Sequence, residues 1–349
     1  MRKLAVVLLN LGGPDGPDAV RPFLRNLFSD PAIIGLPGLI RRPLASYIAA
    51  RREHEAKANY AHMGGGSPLL PETQKQADAL TRLLAGRLAD TETRVFIGMR
   101  YWKPFTEETA RVVAAWAPDD VVLLPLYPQF STTTTASSLK AWAAAYGGEA
   151  PVRAVCCWPT EPGLAEAHAA LIARAWDAAG RPPKARLLFS AHGLPEKVVL
   201  GGDPYQWQVE RTAEAIVERL PNRSDGGEWD WSVCYQSRVG PLKWIGPSTP
   251  EAIQDAARGA EGVIVCPIAF VSEHVETLVE LDRDYAALAE SMAVRPYIRV
   301  PALGVEPPFV EQLADLVVEA LKRPPGAASA CGGRICPERF GRCPMAVAA

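Results

Sequence analysis

Three glutamates follow an apolar run in VCPIAFVSEHVETLVELD, residues 265–282. Glu273, Glu276 and Glu280 are three and four residues apart, so a helix over this segment places their carboxylates on one face. Like charges at that spacing repel one another unless a positive partner offsets them. Such a row is often a solvated helix face, but this one directly follows a core-quality strand. The start of the row is therefore expected at a strand end rather than on an outer flank of the protein.

The segment LLFSAHGLPEKV predicts a strand that runs into His192 and is ended by a Gly-Leu-Pro turn. A neutral imidazole at a strand end can accept a proton or bind a metal. The alternative is a histidine that only hydrogen-bonds to the adjacent loop. His274 is predicted to point away from the glutamate row, as a supporting or a packed group, and His168 to lie at the surface. The zinc-protease pattern H-E-x-x-H is absent from the sequence.

Aromatic and polar residues close two other predicted strands, at 100–102 (RYW) and 127–130 (YPQF). Together they indicate a wall for a flat, apolar ligand with a polar edge. The glycine segments 12–16 and 64–68 lack the spacing or the lysine of nucleotide-binding loops. We interpret both as tight turns beside a ligand or beside each other.

Short β-branched runs alternate with helical patterns along the chain, as in βαβ units with parallel sheets. The predicted class is α/β, with two halves of four strands each and a boundary near residue 150. The predicted domains are 1–150, 151–325 and a Gly/Pro/Cys-rich extension over 326–349. The predicted strands are 3–11, 93–101, 119–128, 152–158, 185–191, 231–236, 262–270 and 297–302. The predicted helices are 71–89, 104–117, 161–179, 204–220, 248–259 and 307–322.

Composition narrows the class of protein. With 349 residues, 48% of them hydrophobic, the chain is long enough for substantial cores. A formal charge of −2 gives no electrostatic reason to expect nucleic acid as a partner. The N-terminal run MRKLAVVLLNLGG lacks a small-x-small cleavage pattern, so it predicts a buried first strand rather than a signal peptide. A cytoplasmic location follows as the expectation, and an odd number of cysteines, seven, does not suggest a secreted disulfide framework.

Two further segments of the sequence indicate possible binding sites. Residues 31–57 mix Ile, Leu and Pro with arginines, which suits a membrane surface, an amphipathic anionic ligand or an ordinary amphipathic helix. Cys331, Cys336 and Cys343 are three thiols that need a fourth ligand to complete a tetrahedral zinc site or a [2Fe–2S] cluster. Cys156 and Cys157 are adjacent on a predicted strand, so their side chains are expected to face opposite ways. Free thiols or disulfides are the alternative.

The whole chain resembles the ferrochelatases, the terminal enzymes of haem synthesis. The resemblance rests on long motifs in the same order: LLNLGGPDGPDAVRPFLRNLFSDPAII, MGGGSPL, GMRY, LPLYPQFSTTT, FSAHGLP, CYQSRVGPLKWIGPST and PIAFVSEHVETLVELD. It implies two Rossmann-like halves with a porphyrin cleft between them, and insertion of Fe²⁺ into protoporphyrin IX. The substrates would be the porphyrin and Fe²⁺, with peripheral membrane contact. Nothing in the sequence indicates the oligomeric state.

The resemblance also assigns residues. His192 and Glu276 match the family's metal ligands, either of which could hold iron first, and Glu273 and Glu280 match the rest of its acidic row. The expected porphyrin contacts are Leu11, Arg52, Arg100, Tyr101, Trp244 and Phe270. Arg52 lies in the basic, apolar segment that implies protoporphyrin rather than coproporphyrin.

The C-terminal cysteines resemble the [2Fe–2S] extension of some ferrochelatases. The fourth ligand of the animal enzymes corresponds here to Thr132, so we expect Cys157 or Cys156 to replace it. A chelatase for cobalt or nickel and a haem or metal carrier are the competing interpretations. A carrier would need neither the full glutamate row nor a proton acceptor.

Overall fold

The computed structural model describes residues 1–223, 227–238, 240, 242–259 and 262–346. The chain divides into two compact units. Unit 1 comprises Met1–Trp158, Leu313–Ile335 and Pro344–Ala349, and unit 2 comprises Pro159–Gln312 and Cys336–Cys343. The boundary expected near residue 150 therefore falls inside unit 1, and the cysteine-rich extension is shared between the units.

Each of the eight predicted strands is present, and a short ninth follows them. The strands are β1 (Arg2–Asn10), β2 (Thr91–Met99), β3 (Asp120–Pro125), β4 (Val152–Val155), β5 (Ala185–His192), β6 (Trp231–Gln236), β7 (Gly262–Pro267), β8 (Tyr297–Arg299) and β9 (Gly326–Ala328). Unit 1 holds a sheet in the order β2-β1-β3-β4-β9, and unit 2 holds one in the order β6-β5-β7-β8. All the strand pairs are parallel, which confirms the α/β class.

The prediction of four strands in each sheet is correct for unit 2 and wrong for unit 1. β9 extends the first sheet, pairing Arg153–Val155 with Gly326–Ala328. Its sequence, GAA, carries no β-branched residue, so no sequence pattern predicts a strand there. Its position is fixed by tertiary contacts, because the Arg153 Nε donates to the Arg323 carbonyl over 2.7 Å while its Nη1 pairs with the buried Asp120 at 2.5 Å.

The six predicted helices are present with small shifts at their ends, and others join them. The helices are α1 (Val20–Phe28), α2 (Gly38–Ala61), α3 (Leu69–Arg87), α4 (Thr106–Trp116), α5 (Thr135–Ala145), α6 (Pro162–Ala178), α7 (Glu196–Leu200), α8 (Tyr205–Val217), α9 (Thr249–Gly259), α10 (Ala286–Ser291) and α11 (Pro307–Leu321), with a 3₁₀ turn at Pro17–Ala19 and a π-helix at Glu276–Tyr285. Within the described ranges, no helix is both long enough and apolar enough to cross a membrane.

β1 lies between β2 and β3 in the first sheet, and its residues Leu4–Leu9 are almost fully buried. This confirms that the apolar N-terminal run forms a core strand. The two glycine-rich turns lie against each other, because the Ser67 amide donates to the Pro14 carbonyl over 2.7 Å and a Cβ at Gly13 would meet the Ser67 side chain. In unit 2, β5 lies between β6 and β7, so His192 and Gln236 share the carboxyl edge of the sheet. Ligand sites of open α/β sheets form at that edge.

His168 is not at the surface. It lies on the buried face of α6 with no exposed area, and its Nδ1 is 3.5 Å from the Cys266 Sγ on β7. The prediction failed because alanines surround His168 in sequence, and their small side chains let the helix pack closely against the sheet with the imidazole inside. Burial lowers the pKa of His168 to about 3, so the ring is neutral at pH 7.

Candidate functional site

His192 and Glu276 meet at the carboxyl edge of the second sheet. The His192 Nδ1 is 2.7 Å from the Glu276 Oε2. His192 is the last residue of β5, and Glu276 is the first residue of the π-helix. With the Nδ1 proton donated to Glu276, the Nε2 is left to bind a metal or accept a proton. The structure thus brings together the two residues that the sequence singled out.

Glu280 joins this pair through Ser237 and Gln236. The Ser237 hydroxyl is 3.0 Å from the Glu276 Oε2 and 2.7 Å from the Glu280 Oε2. The Gln236 amide Nε2 is 3.2 Å from the same Glu280 oxygen. Ser237 has a left-handed backbone, with φ 60°, which a serine adopts at some cost. That conformation follows directly on β6 and turns the hydroxyl toward both carboxylates.

The electrostatics of this group favour one proton on the carboxylate pair. Burial raises the pKa of Glu276, but His192 and the hydrogen bonds outweigh burial and bring the pKa down to about 2. Burial and the neighbouring Glu276 charge raise the pKa of Glu280 to about 7. A hydroxyl has one proton to donate, so both Ser237 contacts are hydrogen bonds only when one carboxyl is protonated and donates back. Glu280 is the carboxyl that holds this proton near neutral pH.

His192 itself is stabilised in its charged form. Burial lowers the pKa of the imidazole, whereas the Glu276 carboxylate, its hydrogen bond and Glu280 raise it, and the pKa lies above its ordinary value. The His192 side chain is 39% exposed, so water reduces the effect of burial and the upward direction stands. His192, Glu276 and Glu280 therefore form a group that exchanges protons as a unit.

Glu273 has a different partner from the other two glutamates. Its Oε1 accepts from the Arg299 Nη1 over 2.5 Å and from the Ala302 amide over 2.9 Å. Arg299 also binds Asp282 through two nitrogens, at 2.6 and 2.8 Å. The expected single row is divided because Glu273 precedes the helix, where an α-helical spacing does not apply. Arg299 was not singled out in the sequence, and its place on the short strand β8 gives no signal of this role.

Glu273→Gln should therefore affect stability more than catalysis. The substitution removes the charge that faces Arg299, and we expect a loss of about 1–3 kcal/mol in the free energy of unfolding. The rate should fall less than ten-fold, roughly, because no hydrogen bond of the His192 group is lost. Denaturant unfolding and steady-state kinetics check the two effects. A rate loss as large as that of Glu276→Gln, at unchanged stability, would contradict this division of the row.

Two of the expected aromatic contacts, Trp244 and Phe270, lie in unit 2 together with the His192 group. The Phe270 and His274 rings lie with centroids 4.4 Å apart. His274 is buried, and its Nδ1 has no hydrogen-bond partner among the residues that the structure describes. A Cβ at Gly193 would lie 3.3 Å from the Trp244 ring, which places this indole beside the turn after His192. Trp244 and Phe270 thus share the unit and the neighbourhood of the predicted metal ligands.

In unit 1, Arg100 and Tyr101 are held by a residue that sequence reasoning missed. The buried Asp30 accepts from the Arg100 Nη2 over 2.8 Å and from the Tyr101 hydroxyl over 2.9 Å. Arg100 also donates its Nε to the Ser137 hydroxyl over 2.7 Å. Burial raises the pKa of Asp30, but Ser137, the Ala32 amide, Arg100 and Tyr101 outweigh it, so the pKa is lowered and Asp30 is charged. Tyr101 is only 1% exposed, and its hydroxyl is committed to Asp30.

The other two expected porphyrin contacts in unit 1 are less constrained. Leu11 follows β1, and its carbonyl accepts from the Tyr101 amide over 2.9 Å. Arg52 is half-buried on α2, with its guanidinium 6.0 Å from the centroid of the Phe28 ring. The early part of α2 exposes apolar side chains to solvent: Leu39 is 93% exposed and Ile40 57%. An open groove of about 550 Å³ lies there, lined by Gly38, Leu39, Arg42 and Pro43.

The cysteines do not gather into a cluster site. None of the seven forms a disulfide, and the described residues contain no group of three or more His, Cys, Asp or Glu side chains placed to hold a metal. Cys156 and Cys157 follow β4 rather than lying on it, so the strand alternation expected for them does not apply. Their buried Sγ atoms are 3.8 Å apart. Cys331 is exposed in unit 1, and Cys336 and Cys343 are buried in unit 2.

Comparisons with known proteins agree on one family. The family model described as Ferrochelatase matches residues 3–321. A protein named Ferrochelatase from Caulobacter vibrioides is 62% identical over 344 residues, covering 98% of this chain and 97% of the relative. A Ferrochelatase from Phenylobacterium zucineum is 60% identical over 341 residues, with 98% and 97% coverage. The solved structure of SirB from Bacillus subtilis with Fe³⁺ shares the fold, with a TM-score of 0.53 at 12% identity, covering 92% of this chain and 96% of SirB.

Proposed function

The chain belongs to the ferrochelatase family, and we propose that it inserts Fe²⁺ into protoporphyrin IX at the His192–Glu276 pair. It is a metal chelatase of the lyase class and catalyses the final step of haem biosynthesis. The 2.7 Å contact between His192 and Glu276, with Glu280 joined through Ser237, carries the assignment of residues. Iron and porphyrin are both substrates, and haem and two protons are the products.

The proton balance explains why one imidazole stands beside two carboxyl groups. The porphyrin loses two pyrrole N–H protons as the dication forms four Fe–N bonds. The His192 Nε2 is the basic atom that faces away from Glu276, so we assign it the first contact with a pyrrole proton or with Fe²⁺. The Glu276 carboxylate stabilises the positive charge that then appears on the imidazole. Glu280 exchanges protons with this pair near neutral pH.

The expected contacts of the porphyrin follow the chemistry of the side chains. In unit 2, Trp244 beside the turn after His192 and Phe270 against His274 offer flat apolar surfaces, which suit a macrocycle. In unit 1, Arg100 offers a guanidinium for a carboxylate or for the polar edge of the ligand, while Tyr101 serves through Asp30 as a fixed support. Leu11 and Arg52 complete the proposed set. Aromatic surfaces that bend the macrocycle would turn a nitrogen lone pair toward the iron and so favour the transition state.

A competition between substrates tests the reaction. Under anaerobic conditions the purified protein is given protoporphyrin or coproporphyrin together with Fe²⁺, Co²⁺ or Ni²⁺, and the metallated products are separated. We expect protohaem as the main product. A preference for coproporphyrin would overturn the choice of porphyrin, and a preference for cobalt or nickel would overturn the choice of metal.

We also propose that the extension carries a [2Fe–2S] cluster in the loaded protein, although the described cysteines do not form a closed ligand set. One geometric feature supports it. Either Cys157 or Cys156 would supply the fourth ligand, and their buried Sγ atoms lie 3.8 Å apart and outside any disulfide. Cys331, Cys336 and Cys343 are the other candidates. Anaerobically purified protein without iron–sulfur absorption, bound iron or sulfide would contradict the cluster.

We propose that the protein works in the cytoplasm, in peripheral contact with the inner face of the membrane. Seven cysteines with no disulfide among them suit a reducing compartment. Leu39 and Ile40 project from α2 beside Arg41 and Arg42, a combination that favours anionic lipid surfaces. Leu39→Glu should abolish sedimentation with anionic vesicles. Leu200→Glu is the matched control, because Leu200 is 81% exposed on α7 of the other unit. Equal sedimentation of both variants and wild type would contradict the membrane contact.

A further inference from the structure

A line of buried polar side chains leads from the core of unit 2 to the helix that carries Glu276 and Glu280. Thr249, Ser190 and Gln236 are each 0% exposed. The Ser190 hydroxyl is 2.9 Å from the Thr249 hydroxyl and 2.8 Å from the Gln236 Oε1. The Gln236 Nε2 then reaches the Glu276 carbonyl at 3.0 Å and the Glu280 Oε2 at 3.2 Å. The register of β5 with β6 explains the alignment, because Ser190 pairs with Cys234 and His192 with Gln236.

The direction of each hydrogen bond follows from counting protons. The Glu276 backbone carbonyl is always an acceptor, so the Gln236 NH₂ group must face it and the Gln236 Oε1 must face Ser190. An amide oxygen only accepts, so the contact of 2.8 Å uses the single proton of Ser190. Thr249 must therefore donate to Ser190, in preference to the weaker sulfur acceptor of Cys234 at 3.4 Å. All the donors point from the core toward the helix.

Such a line is costly unless each of its members is paired. A buried amide or hydroxyl without a partner destabilises the fold, and apolar residues at these positions would avoid that cost. The described side-chain hydrogen bonds of Ser190 go to Gln236 and Thr249, and none goes to a glutamate. The hydrogen bond from the Ser190 hydroxyl to the Gln236 Oε1 prevents the Gln236 amide from turning over. A turned amide would put its oxygen against the Glu276 backbone carbonyl, which would repel it.

We propose that Ser190 is a positioning residue of the metal-insertion site, acting through Gln236 to hold Glu280 and the first turn of the π-helix in place for Fe²⁺. The inference rests on the proposed function and deepens it. Gln236 is the intermediary, and Thr249 fixes the proton of Ser190 from behind. Removing the Ser190 hydroxyl releases the amide and lets the two carboxyl groups shift, although no group that touches a substrate has been changed.

The test compares Ser190→Ala, Ser190→Thr, Gln236→Met and the double variant Ser190→Ala/Gln236→Met. We expect Ser190→Ala to raise the KM for Fe²⁺ or lower kcat by about ten-fold, the lower range for groups that orient metal ligands, with the KM for porphyrin unchanged. Ser190→Thr, which restores the hydroxyl, should recover most of this loss. Gln236→Met should impair the kinetics at least as much as Ser190→Ala. The double variant should be only slightly worse than Gln236→Met, because the two residues act through one contact.

Two further measurements separate positioning from simple loss of stability. Thr212→Val is the matched control, since Thr212 is a fully buried hydroxyl on α8 that donates to the Gln208 carbonyl over 2.9 Å. Thr212→Val should have the same KM for Fe²⁺ and the same KM for porphyrin as wild type. Amide hydrogen exchange, which needs no turnover, should be faster in Ser190→Ala over residues 276–285 and unchanged over α6.

The outcomes distinguish the positioning role of Ser190 from the proposed chelatase function. Kinetic constants of Ser190→Ala equal to those of wild type, additive losses in the double variant, or failure of Ser190→Thr to restore activity would each overturn the positioning role while the chelatase function stands. A wild-type protein that never metallates porphyrin would overturn the proposed function instead. Hydrogen exchange would then still decide whether Ser190 holds the helix, and unchanged exchange over 276–285 would overturn that as well.

Discussion

Glu276→Gln should lower kcat for iron insertion by at least about 100-fold, the low end of the effect of losing a positioned acid–base group. Gln is nearly the same size as Glu, and its amide oxygen can still accept from the His192 Nδ1. The negative charge is lost, however, and with it the stabilisation of a positive imidazole and of an approaching dication. The substitution therefore separates the charge of Glu276 from its shape.

Affinity for porphyrin, measured by fluorescence titration without metal, should stay within about three-fold of wild type, because Glu276 contributes to the reacting centre and not to the apolar surfaces. His192→Ala should show the same pattern. Glu273→Gln is the matched control in the same segment, since Glu273 pairs with Arg299. If Glu276→Gln retained most of the wild-type kcat, the His192–Glu276 pair would not be the centre of the reaction.

Acid should destabilise this protein in part through His168, and His168→Leu should weaken that dependence. His168 is neutral in the folded protein, with a pKa lowered to about 3 by burial. The unfolded chain binds a proton there with a pKa of about 6.5. A lowered folded pKa means that the contribution is fully present above pH 6.5, roughly, and is lost as the pH falls from there toward 3.

Between pH 7 and pH 4, protonation of His168 in the unfolded chain should reduce the free energy of unfolding by about 3 kcal/mol. Cys266, the neighbour of the ring, adds no charge in this range because burial raises the pKa of its thiol. Denaturant unfolding at several pH values measures the slope for wild type and for His168→Leu. Equal slopes, with both proteins folded at pH 7, would contradict the buried neutral histidine.

The strands were predictable because their signal is local. β1 is an unbroken apolar run, and its central residues are buried as such a run requires. β9 is three small residues with no such run, and its pairing depends on Arg153 and Arg323, which are distant in sequence. The local sequence pattern therefore predicted the strands that are apolar runs and missed the strand whose position depends on tertiary contacts.

The residues of the candidate site were likewise predictable only where the sequence carries a local signal. His192 and Glu276 could be found because a histidine at a strand end and a glutamate row are visible in the sequence. The residues proposed to support them, Ser190, Gln236 and Ser237, are ordinary polar residues whose role depends on β5–β6 register and on a left-handed turn. Glu273 and Glu276 are three residues apart, yet they have different partners because the helix begins between them and is a π-helix. Asp30 follows α1 with no spacing that links it to Arg100 or Tyr101.

The most direct test of the account follows one turnover. Wild-type protein is mixed anaerobically with Fe²⁺ and protoporphyrin IX, and the loss of porphyrin fluorescence is recorded together with the rise of haem absorbance. Both signals should change at one rate, with two protons released per haem. In His192→Ala and Glu276→Gln, both signals should change little although porphyrin is bound. Wild-type protein that binds porphyrin and never metallates it would contradict the account and would make the protein a carrier.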